Sequence, residues 1–159
     1  MIVRKGEAND VHAILNLIIE LAVFEQEPNA VLITQDDLLR DGFSSNPLFY
    51  TFVVEHNHNI IGMALYYYRY STWKGKTIHL EDLIVKKEFR GIGAGFALFC
   101  EIIKQGKKDN VKRMEWNVLN WNKNAIDFYE NMGAKMLADW RVVHIDNQGI
   151  ENFLTKNNL

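Results

Sequence analysis

The chain has 159 residues, of which 48% are hydrophobic and 24% charged, and its formal net charge is −2. These values are typical of one globular domain with a sizeable core, and the absence of a basic run argues against a nucleic-acid scaffold. The single cysteine, Cys100, excludes an internal disulfide and favours a reducing compartment, and its apolar neighbours suggest a buried structural thiol. Because no apolar stretch suits a signal peptide or a membrane span, we expect one cytoplasmic domain over residues 1–159 with no membrane partner.

The first third of the chain predicts one strand and two helices. A short strand at about 2–5 precedes a run in which apolar residues recur at helical spacing from Val11 to Ala22. Asn9 is the predicted N-cap of this helix, which should end near Phe24. The pattern 34–37, Thr-Gln-Asp-Asp, is typical of a capping box and predicts a second short helix that Gly42 stops.

The middle of the chain predicts three consecutive strands. Residues 50–55 and 60–70 flank a polar turn at 56–59, which indicates a hairpin. The turn contains two histidines, but turn chemistry explains it better than a metal site because no cysteine or third histidine stands at ligand spacing. Residues 77–85 form the next predicted strand, after a turn at 73–76.

The last third predicts a strand at 113–119 and a short helix at 124–132 that Gly133 stops. A final hairpin is predicted from residues 135–145 and 150–154. With the helix that follows residue 95, the element order becomes β-α-α-β-β-β-α-β-α-β-β. This order predicts an α/β fold with a mixed sheet covered by helices on both faces.

A glycine-rich stretch, Arg90–Gly95, joins the apolar run Leu83–Val85 to the helical pattern that begins at Phe96. Three glycines at a strand-to-helix junction let the backbone turn tightly, and the helix start adds unpaired N–H groups that suit a phosphate. The dinucleotide fingerprint fits poorly because Phe96 replaces its third glycine, and the P-loop ending is absent. An ordinary glycine-rich turn remains the alternative.

Two adjacent carboxylates, Glu81 and Asp82, precede the glycine stretch on its feeding strand. Adjacent strand residues point to opposite faces, so both cannot be solvent-facing if the sheet is covered, and a buried carboxylate needs a partner or a task. One interpretation pairs one of them with a lysine or arginine and puts the other at a bend. The other makes Glu81 a general base for an amine, which arrives protonated at neutral pH.

Downstream, residues 120–129 close a strand and open a helix that carries Tyr129. The asparagines of this stretch could serve only as helix caps, and Tyr129 could be a core tyrosine with a satisfied hydroxyl. Alternatively, the Tyr129 hydroxyl donates a proton to a departing thiolate, because a phenol remains protonated at pH 7.

Together these segments resemble the GNAT superfamily of N-acetyltransferases, and within it the diamine acetyltransferase family of spermidine/spermine and thialysine N-acetyltransferases. The R-x-x-G-x-G spacing marks the superfamily, whereas Tyr70–Ile78, Leu80–Asp82 and the Trp121-Asn122 pair mark the family. Nearly the whole chain is covered, since further matching stretches are Asp41–Phe43, Tyr66–Tyr68, Phe128-Tyr129, Gly133-Ala134 and Trp140.

The resemblance implies a GNAT-type, mainly antiparallel mixed sheet and transfer of an acetyl group from acetyl-CoA to a primary amine, directly in a ternary complex and without a metal. It implies that Glu81 is the base and Tyr129 the acid, and that the protein is a homodimer built through its C-terminal strands. The implied CoA-binding positions are Leu83, Ile84, Val85, Arg90, Gly91, Ile92, Gly93, Ala94, Gly95, Phe96, Asn122, Lys123, Asn124 and Ala125. The implied substrate-binding positions are Glu25, Ser71, Trp73, Glu81, Asp82 and Trp140.

Two departures bear on the substrate. Polyamine-acetylating members carry acidic residues where this chain has Ser71 and Ala138, and fewer acidic groups weaken the binding of a long polycation. The expected acceptor is therefore a short amine, such as a lysine analogue or a diamine. Two alternatives are a catalytically silent CoA-binding module, which should have lost Glu81 or Tyr129, and an acetyltransferase of a protein amine, which should have a more open groove.

Overall fold

One sheet of five strands organises the first part of the chain, in the order β1–β2–β3–β4–β5. In the computed structural model, which describes all 159 residues, the strands are β1 Ile2–Lys5, β2 Tyr50–His56, β3 Asn59–Ser71, β4 Gly75–Val85 and β5 Met114–Glu115. The first four pair antiparallel and β5 pairs parallel to β4. This arrangement confirms the mixed, mainly antiparallel sheet and the hairpin expected around residues 56–59.

Five helices accompany the sheet: α1 Val11–Phe24, α2 Gln35–Gly42, α3 Ala94–Lys108, α4 Lys123–Asn131 and α5 Asn147–Asn157. The predicted capping box is confirmed at the start of α2. There the Asp37 N–H donates to Thr34 Oγ1 at 3.2 Å, and the Thr34 N–H donates to Asp37 Oδ2 at 2.9 Å. Both α1 and α2 end where the sequence predicts.

Helices cover both faces of the sheet, as expected. Val53, Met63 and Ile84 project to one face, where they form a buried cluster with residues of α1 and α2 such as Leu17 and Leu38. Phe52 alternates with Val53 along β2 and therefore projects to the other face, where it lines a cleft with residues of α3. The core thus consists of two apolar layers with the sheet between them.

Strands β4 and β5 separate almost at once. Only Ile78 with Met114 and His79 with Glu115 pair across them, so the strand predicted at 113–119 shrinks to two residues. Past His79, strand β4 pairs with β3 alone. Because the polar groups of a strand alternate between its two edges, about half of those between Leu80 and Val85 face an edge that no strand covers.

The final hairpin predicted at 135–145 and 150–154 is wrong. No strand forms in either segment, and the second lies within α5. The stretch from Asp146 to Gly149 is a helix start, not a hairpin turn, because the Gly149 N–H donates to Asp146 Oδ1 at 2.7 Å and caps α5. The observed element order therefore lacks the last two strands, and Val143 is left 87% exposed.

Two smaller predictions are also wrong. Asp10, not Asn9, is the N-cap of α1, and Asn9 lies in the preceding 3₁₀ turn. The Asp10 carboxylate also accepts two hydrogen bonds from Arg4 of β1, at 2.6 and 2.9 Å, which is a tertiary contact that the local pattern does not contain. Cys100 is half-buried, where the sequence suggested a buried thiol.

The chain divides into two compact units, Met1–Leu119 and Asn120–Leu159. The first holds the whole sheet with α1, α2 and α3, and the second holds α4 and α5. The assignment of residues 1–159 to one domain stays a prediction. No helix in the structure has the length and apolar character needed to cross a bilayer.

Candidate active site

A β-bulge in strand β4 places two carboxylates side by side. Leu65 of β3 pairs with Asp82, whereas the next residue, Tyr66, pairs with Leu80. Glu81 is therefore the extra residue of the bulge. A bulge interrupts the alternation of faces, and both Glu81 and Asp82 line the same cavity. The expectation that these neighbours point to opposite faces is wrong for this reason.

The cavity lies between the sheet, α1 and α2, and has a volume of about 360 Å³. Its wall is mostly apolar, and the apolar residues are Ile18, Ile33, Leu38, Leu48, Phe49 and Leu65. Four carboxylates complete it: Glu81 and Asp82 from β4, with Asp37 and Asp41 from α2. The sequence did not predict Asp37 and Asp41 as site residues, although their i,i+4 spacing on a predicted helix puts them on one face.

The negative charge of the cavity is concentrated around Glu81. Arg40 forms ion pairs with both α2 carboxylates, with N–O distances of 2.8 Å to Asp37 and 2.7 Å to Asp41. By contrast, no lysine or arginine forms an ion pair with Glu81 or Asp82. The interpretation in which one of these two is paired to a basic side chain is therefore wrong.

Three acids share this region, because Glu25 interacts electrostatically with both Glu81 and Asp82. Burial, followed by the charges of Glu81 and Glu25, raises the pKa of Asp82 to about 7. Burial and the charge of Glu81 also raise the pKa of Glu25. Glu25 is the C-cap of α1, where the helix dipole adds negative potential. A cation bound here would relieve the mutual repulsion of the three carboxylates.

Two side chains beside Glu81 were missed by the sequence analysis. His79 Nε2 lies 3.5 Å from Glu81 Oε2, and the rings of His79 and Tyr67 lie 5.1 Å apart. Burial, then the charge of Glu81 and its hydrogen bond, raise the pKa of Tyr67. The pair Tyr67–His79 could have been predicted by counting residues along both strands from the hairpin turn. The proximity of both residues to Glu81 could not, because it depends on the bulge.

The glycine stretch has the geometry that an anion requires. Gly91 and Gly93 have φ values of 81° and 86°, a region that favours glycine, and Gly93 is the N-cap of α3. No side chain caps this helix, and its first three N–H groups, from Ala94 to Phe96, have no acceptor in the chain. A methyl group at Gly91 or Gly93 would meet no atom within 4 Å, so the loop faces open space. A phosphate fits this arrangement.

Arg90 is held beside the loop by its own strand. Its Nε donates to the Val85 carbonyl at 3.1 Å, and its guanidinium lies 5.2 Å from the centre of the Phe24 ring. Arg90 is thus anchored to β4 and α1, four residues before the first residue of α3. Leu83–Val85 lie on the part of β4 whose outer edge no strand covers. An extended, amide-containing ligand arm suits such an edge.

The second unit carries Tyr129 on α4. Asn122 caps α4 by accepting the Ala125 N–H at 3.3 Å, as the sequence predicts. At the other end Gly133, with a φ of 88°, allows the Ala134 N–H to reach the Tyr129 carbonyl at 3.0 Å. Burial raises the pKa of Tyr129 to about 12, so its hydroxyl remains protonated at neutral pH. The sequence-based assignment of Asn122–Ala125 to CoA binding stays a prediction.

The remaining predicted substrate residues are Ser71, Trp73 and Trp140. Ser71 and Trp73 lie at the tip of the β3–β4 hairpin, where Ser71 Oγ accepts the Trp73 N–H at 3.2 Å. Strand β4 runs from Gly75 to Glu81 before it reaches the cavity, a span of about 20 Å. Trp140 belongs to the second unit and is 72% exposed. Their substrate contacts stay predictions.

No group of three or more His, Cys, Asp or Glu side chains is arranged to hold a metal ion.

The family model and the similar proteins of known name agree on one family. Residues 12–134 match the Acetyltransferase (GNAT) family. The chain is 35% identical over 147 residues to the thialysine N-epsilon-acetyltransferase of Sus scrofa, which covers 87% of this chain and 86% of that protein. It is 33% identical over 143 residues to the Caenorhabditis elegans thialysine N-epsilon-acetyltransferase, with 88% of each chain covered. It is also 35% identical over 150 residues to the human spermidine/spermine N(1)-acetyltransferase-like protein 1, covering 90% of this chain and 22% of that protein.

Solved structures share the fold. An integron cassette protein from the mobile metagenome of V. cholerae superposes with a TM-score of 0.78 at 19% identity, covering 96% of both chains. An aminoglycoside acetyltransferase from an uncultured soil metagenomic sample, solved with trehalose, superposes with a TM-score of 0.72 at 19% identity, covering 91% of this chain and 93% of the other.

Proposed function

The chain belongs to the GNAT family of acetyltransferases and is an acyltransferase, and from this premise we propose that it acetylates the primary amine of a small molecule. The observation that carries the proposal is the cavity at the β4 bulge, which has a mostly apolar wall and several carboxylates. An alkylammonium group suits Glu25, Glu81 and Asp82, because none of these acids forms an ion pair with a lysine or an arginine of the chain. The apolar wall suits the carbon chain of the same molecule.

The family uses acetyl-CoA as its cosubstrate, and the glycine stretch fits the pyrophosphate. We propose that the free N–H groups at the start of α3 and the guanidinium of Arg90 bind the phosphates. The uncovered edge of Leu83–Val85 would bind the pantetheine arm through backbone hydrogen bonds. Asn122–Ala125 are further proposed CoA-binding positions, an assignment that rests on the family resemblance.

The proposed chemistry is direct transfer within a ternary complex. Acetyl-CoA supplies the activated acetyl group as a thioester. Glu81 accepts the proton of the bound ammonium, directly or through a water molecule, and thereby frees the nitrogen lone pair for attack. Backbone N–H groups of β4 stabilise the negative charge that develops on the carbonyl oxygen. As the C–N bond forms and the C–S bond breaks, the Tyr129 hydroxyl, which its raised pKa keeps protonated, donates its proton to the departing sulfur, and the second proton of the nitrogen restores the hydroxyl.

The acceptor that we favour is a short amine, such as a lysine analogue or a diamine. Two relatives at 33–35% identity are thialysine acetyltransferases, and thialysine is such an analogue. The cavity of about 360 Å³ is small, and Arg40 already forms ion pairs with the two acids of α2. A long polycation needs more unpaired carboxylates than a short amine does, and few remain here.

We also propose a homodimer and a cytoplasmic location. The segment between α4 and α5 carries several exposed apolar residues, among them Leu137, Trp140, Val142, Val143 and Ile145. Such a surface is typical of a protein–protein interface. The location rests on the single cysteine and on the absence of a disulfide.

The test is an acetylation screen with acetyl-CoA and a panel of diamines, lysine, thialysine, spermidine, spermine and peptides. We expect turnover with the short amines, and a Glu81→Gln variant should reduce kcat/KM by about 10²–10⁴-fold. Glu101→Gln is the matched control, because Glu101 lies on α3 in an exposed pair with Lys104. A protein that neither acetylates an amine nor binds acetyl-CoA would contradict the proposal, and CoA binding without turnover would favour a silent module.

A further inference from the structure

The His79 ring lies between two groups of opposite charge. Its Nδ1 atom lies 3.4 Å from an Arg69 terminal nitrogen, and its Nε2 atom lies 3.5 Å from Glu81 Oε2. Only 7% of the residue is exposed, and one ring face packs against Tyr67. The ring therefore has a fixed position between the cavity and the turn end of the β3–β4 hairpin.

Arg69 is itself held in place. Its guanidinium forms an ion pair with Glu115 of β5 at 2.6 Å, and Glu115 also pairs with Arg113 at 3.0 Å. A guanidinium only donates hydrogen bonds, so the His79 Nδ1 atom that faces Arg69 must present a lone pair. In the neutral ring the proton is then on Nε2, and Nε2 faces Glu81.

The same surroundings keep His79 neutral. Burial lowers the pKa of His79, and Arg69 lowers it further against the opposing charges of Glu81 and Glu115. The other titratable group that faces the ring is Tyr67 of β3. The Nε2–H group is consequently a neutral donor that lies 3.5 Å from one oxygen of Glu81.

We propose that His79 is a positioning residue that acts through Glu81: its Nε2–H donates to Oε2 and orients the carboxylate towards the bound amine. This inference rests on the proposed function, in which Glu81 is the base. The Glu81 side chain is half exposed, so packing alone does not fix its direction. The donor holds one oxygen and leaves the other to accept the amine proton. Catalytic hydrogen bonds commonly shorten when substrate binds, and the 3.5 Å contact is short enough to close in this way.

A purely structural role for His79 makes a different prediction. If only the ring mattered, through its packing against Tyr67, then phenylalanine would replace it better than glutamine. If the Nε2–H donor matters, then glutamine would be the better replacement, because its amide nitrogen takes a position similar to that of Nε2. Asparagine carries the amide one bond closer to the backbone, near the Nδ1 position, and removes the His79 donor, so that Glu81 keeps only the Tyr67 hydroxyl.

The experiment compares the variants His79→Gln, His79→Phe and His79→Asn by steady-state kinetics with an accepted amine. We expect kcat to fall by about 10²-fold in the Phe and Asn variants and to recover to within about threefold of wild type in the Gln variant. The KM for acetyl-CoA should not change. The acidic limb of the pH profile of kcat/KM should move to higher pH in His79→Phe, because a donor to the charged carboxylate is lost. His56→Gln is the control, since His56 lies in the same sheet but packs against Phe89.

If the kcat of His79→Phe equals that of the wild type, or exceeds that of His79→Gln, the inference is overturned while the proposed function stays intact. A second readout does not depend on turnover or on the stability of the variants. In wild-type protein with ¹⁵N-labelled histidine, the His79 ring should show a protonated Nε2 and an unprotonated Nδ1 across neutral pH. The opposite tautomer, or an imidazolium, overturns the inference. Wild-type protein without any turnover would instead contradict the proposed function.

Discussion

Glu81 and Asp82 are consecutive in strand β4 and yet line the same cavity, because Glu81 is the extra residue of a bulge between the pairs Leu65–Asp82 and Tyr66–Leu80. A regular strand would place one of them in each apolar layer. The bulge instead brings two carboxylates together, and Glu25 interacts electrostatically with both. No lysine or arginine pairs with either of the two, so the cavity prefers a cation.

The first prediction concerns the pH dependence of stability. The pKa of Asp82 in the folded protein, about 7, lies above its ordinary value of 3.8. The folded state therefore binds more protons than the unfolded state between these values, and stability falls as the pH rises through that window. The Asp82→Asn variant should not show this loss. The free energy of unfolding of the variant minus that of the wild type should therefore be roughly 2 kcal/mol larger at pH 8 than at pH 5.

Urea unfolding of both proteins at the two pH values measures this difference. Asp36→Asn, a change on the first turn of α2 where the side chain is exposed, is the control and should show no such pH dependence. An Asp82→Asn variant whose advantage is the same at both pH values would show that Asp82 ionises normally in the folded protein.

The second prediction separates phosphate binding from backbone strain. Gly93 and Gly75 both have positive φ values, 86° and 79°, and both face open space. Alanine at either position should lower the free energy of unfolding by about 1 kcal/mol, since an L side chain is strained there. Only Gly93→Ala lies at the α3 N-terminus, so only this variant should weaken acetyl-CoA binding, by about tenfold. Calorimetric titration with acetyl-CoA measures the difference, and equal affinities in the two variants would exclude the loop as the phosphate site.

The third prediction concerns the proton donor. Tyr129→Phe removes only the hydroxyl and leaves the cap that joins Ala134 to the Tyr129 carbonyl. We expect kcat to fall by about 10²-fold with little change in the KM for the amine, because the hydroxyl acts late in the reaction. Tyr70→Phe, at an 81% exposed position, is the control. An undiminished kcat in Tyr129→Phe would remove this residue from the chemistry.

The fourth prediction tests the dimer. Val143→Asp places a charge on the exposed apolar segment of the second unit and should convert a dimer into a monomer in light scattering. Leu32→Asp is the matched control, because Leu32 is 88% exposed but belongs to the first unit. A wild-type protein that is monomeric at micromolar concentration would contradict the homodimer outright.

Local patterns predicted most of the first unit. Helix α2 starts at its Thr34–Asp37 capping box, and α3 starts at Gly93, because capping and left-handed glycine are properties of a few neighbouring residues. The final hairpin failed for the complementary reason. Alternating apolar residues predict a strand only if another strand is present to pair with, and residues 135–145 have none in the structure.

By itself, the sequence determined the family, the strand–glycine–helix junction at Arg90–Gly95 and the two carboxylates of the cavity, since each is carried by residues close together in the chain. Only the tertiary structure decided that Glu81 and Asp82 line one cavity and interact electrostatically with Glu25, and that His79 lies between Arg69 and Glu81. A bulge depends on the register of two strands, and an ion pair depends on which strands meet. Neither can be read from one segment alone.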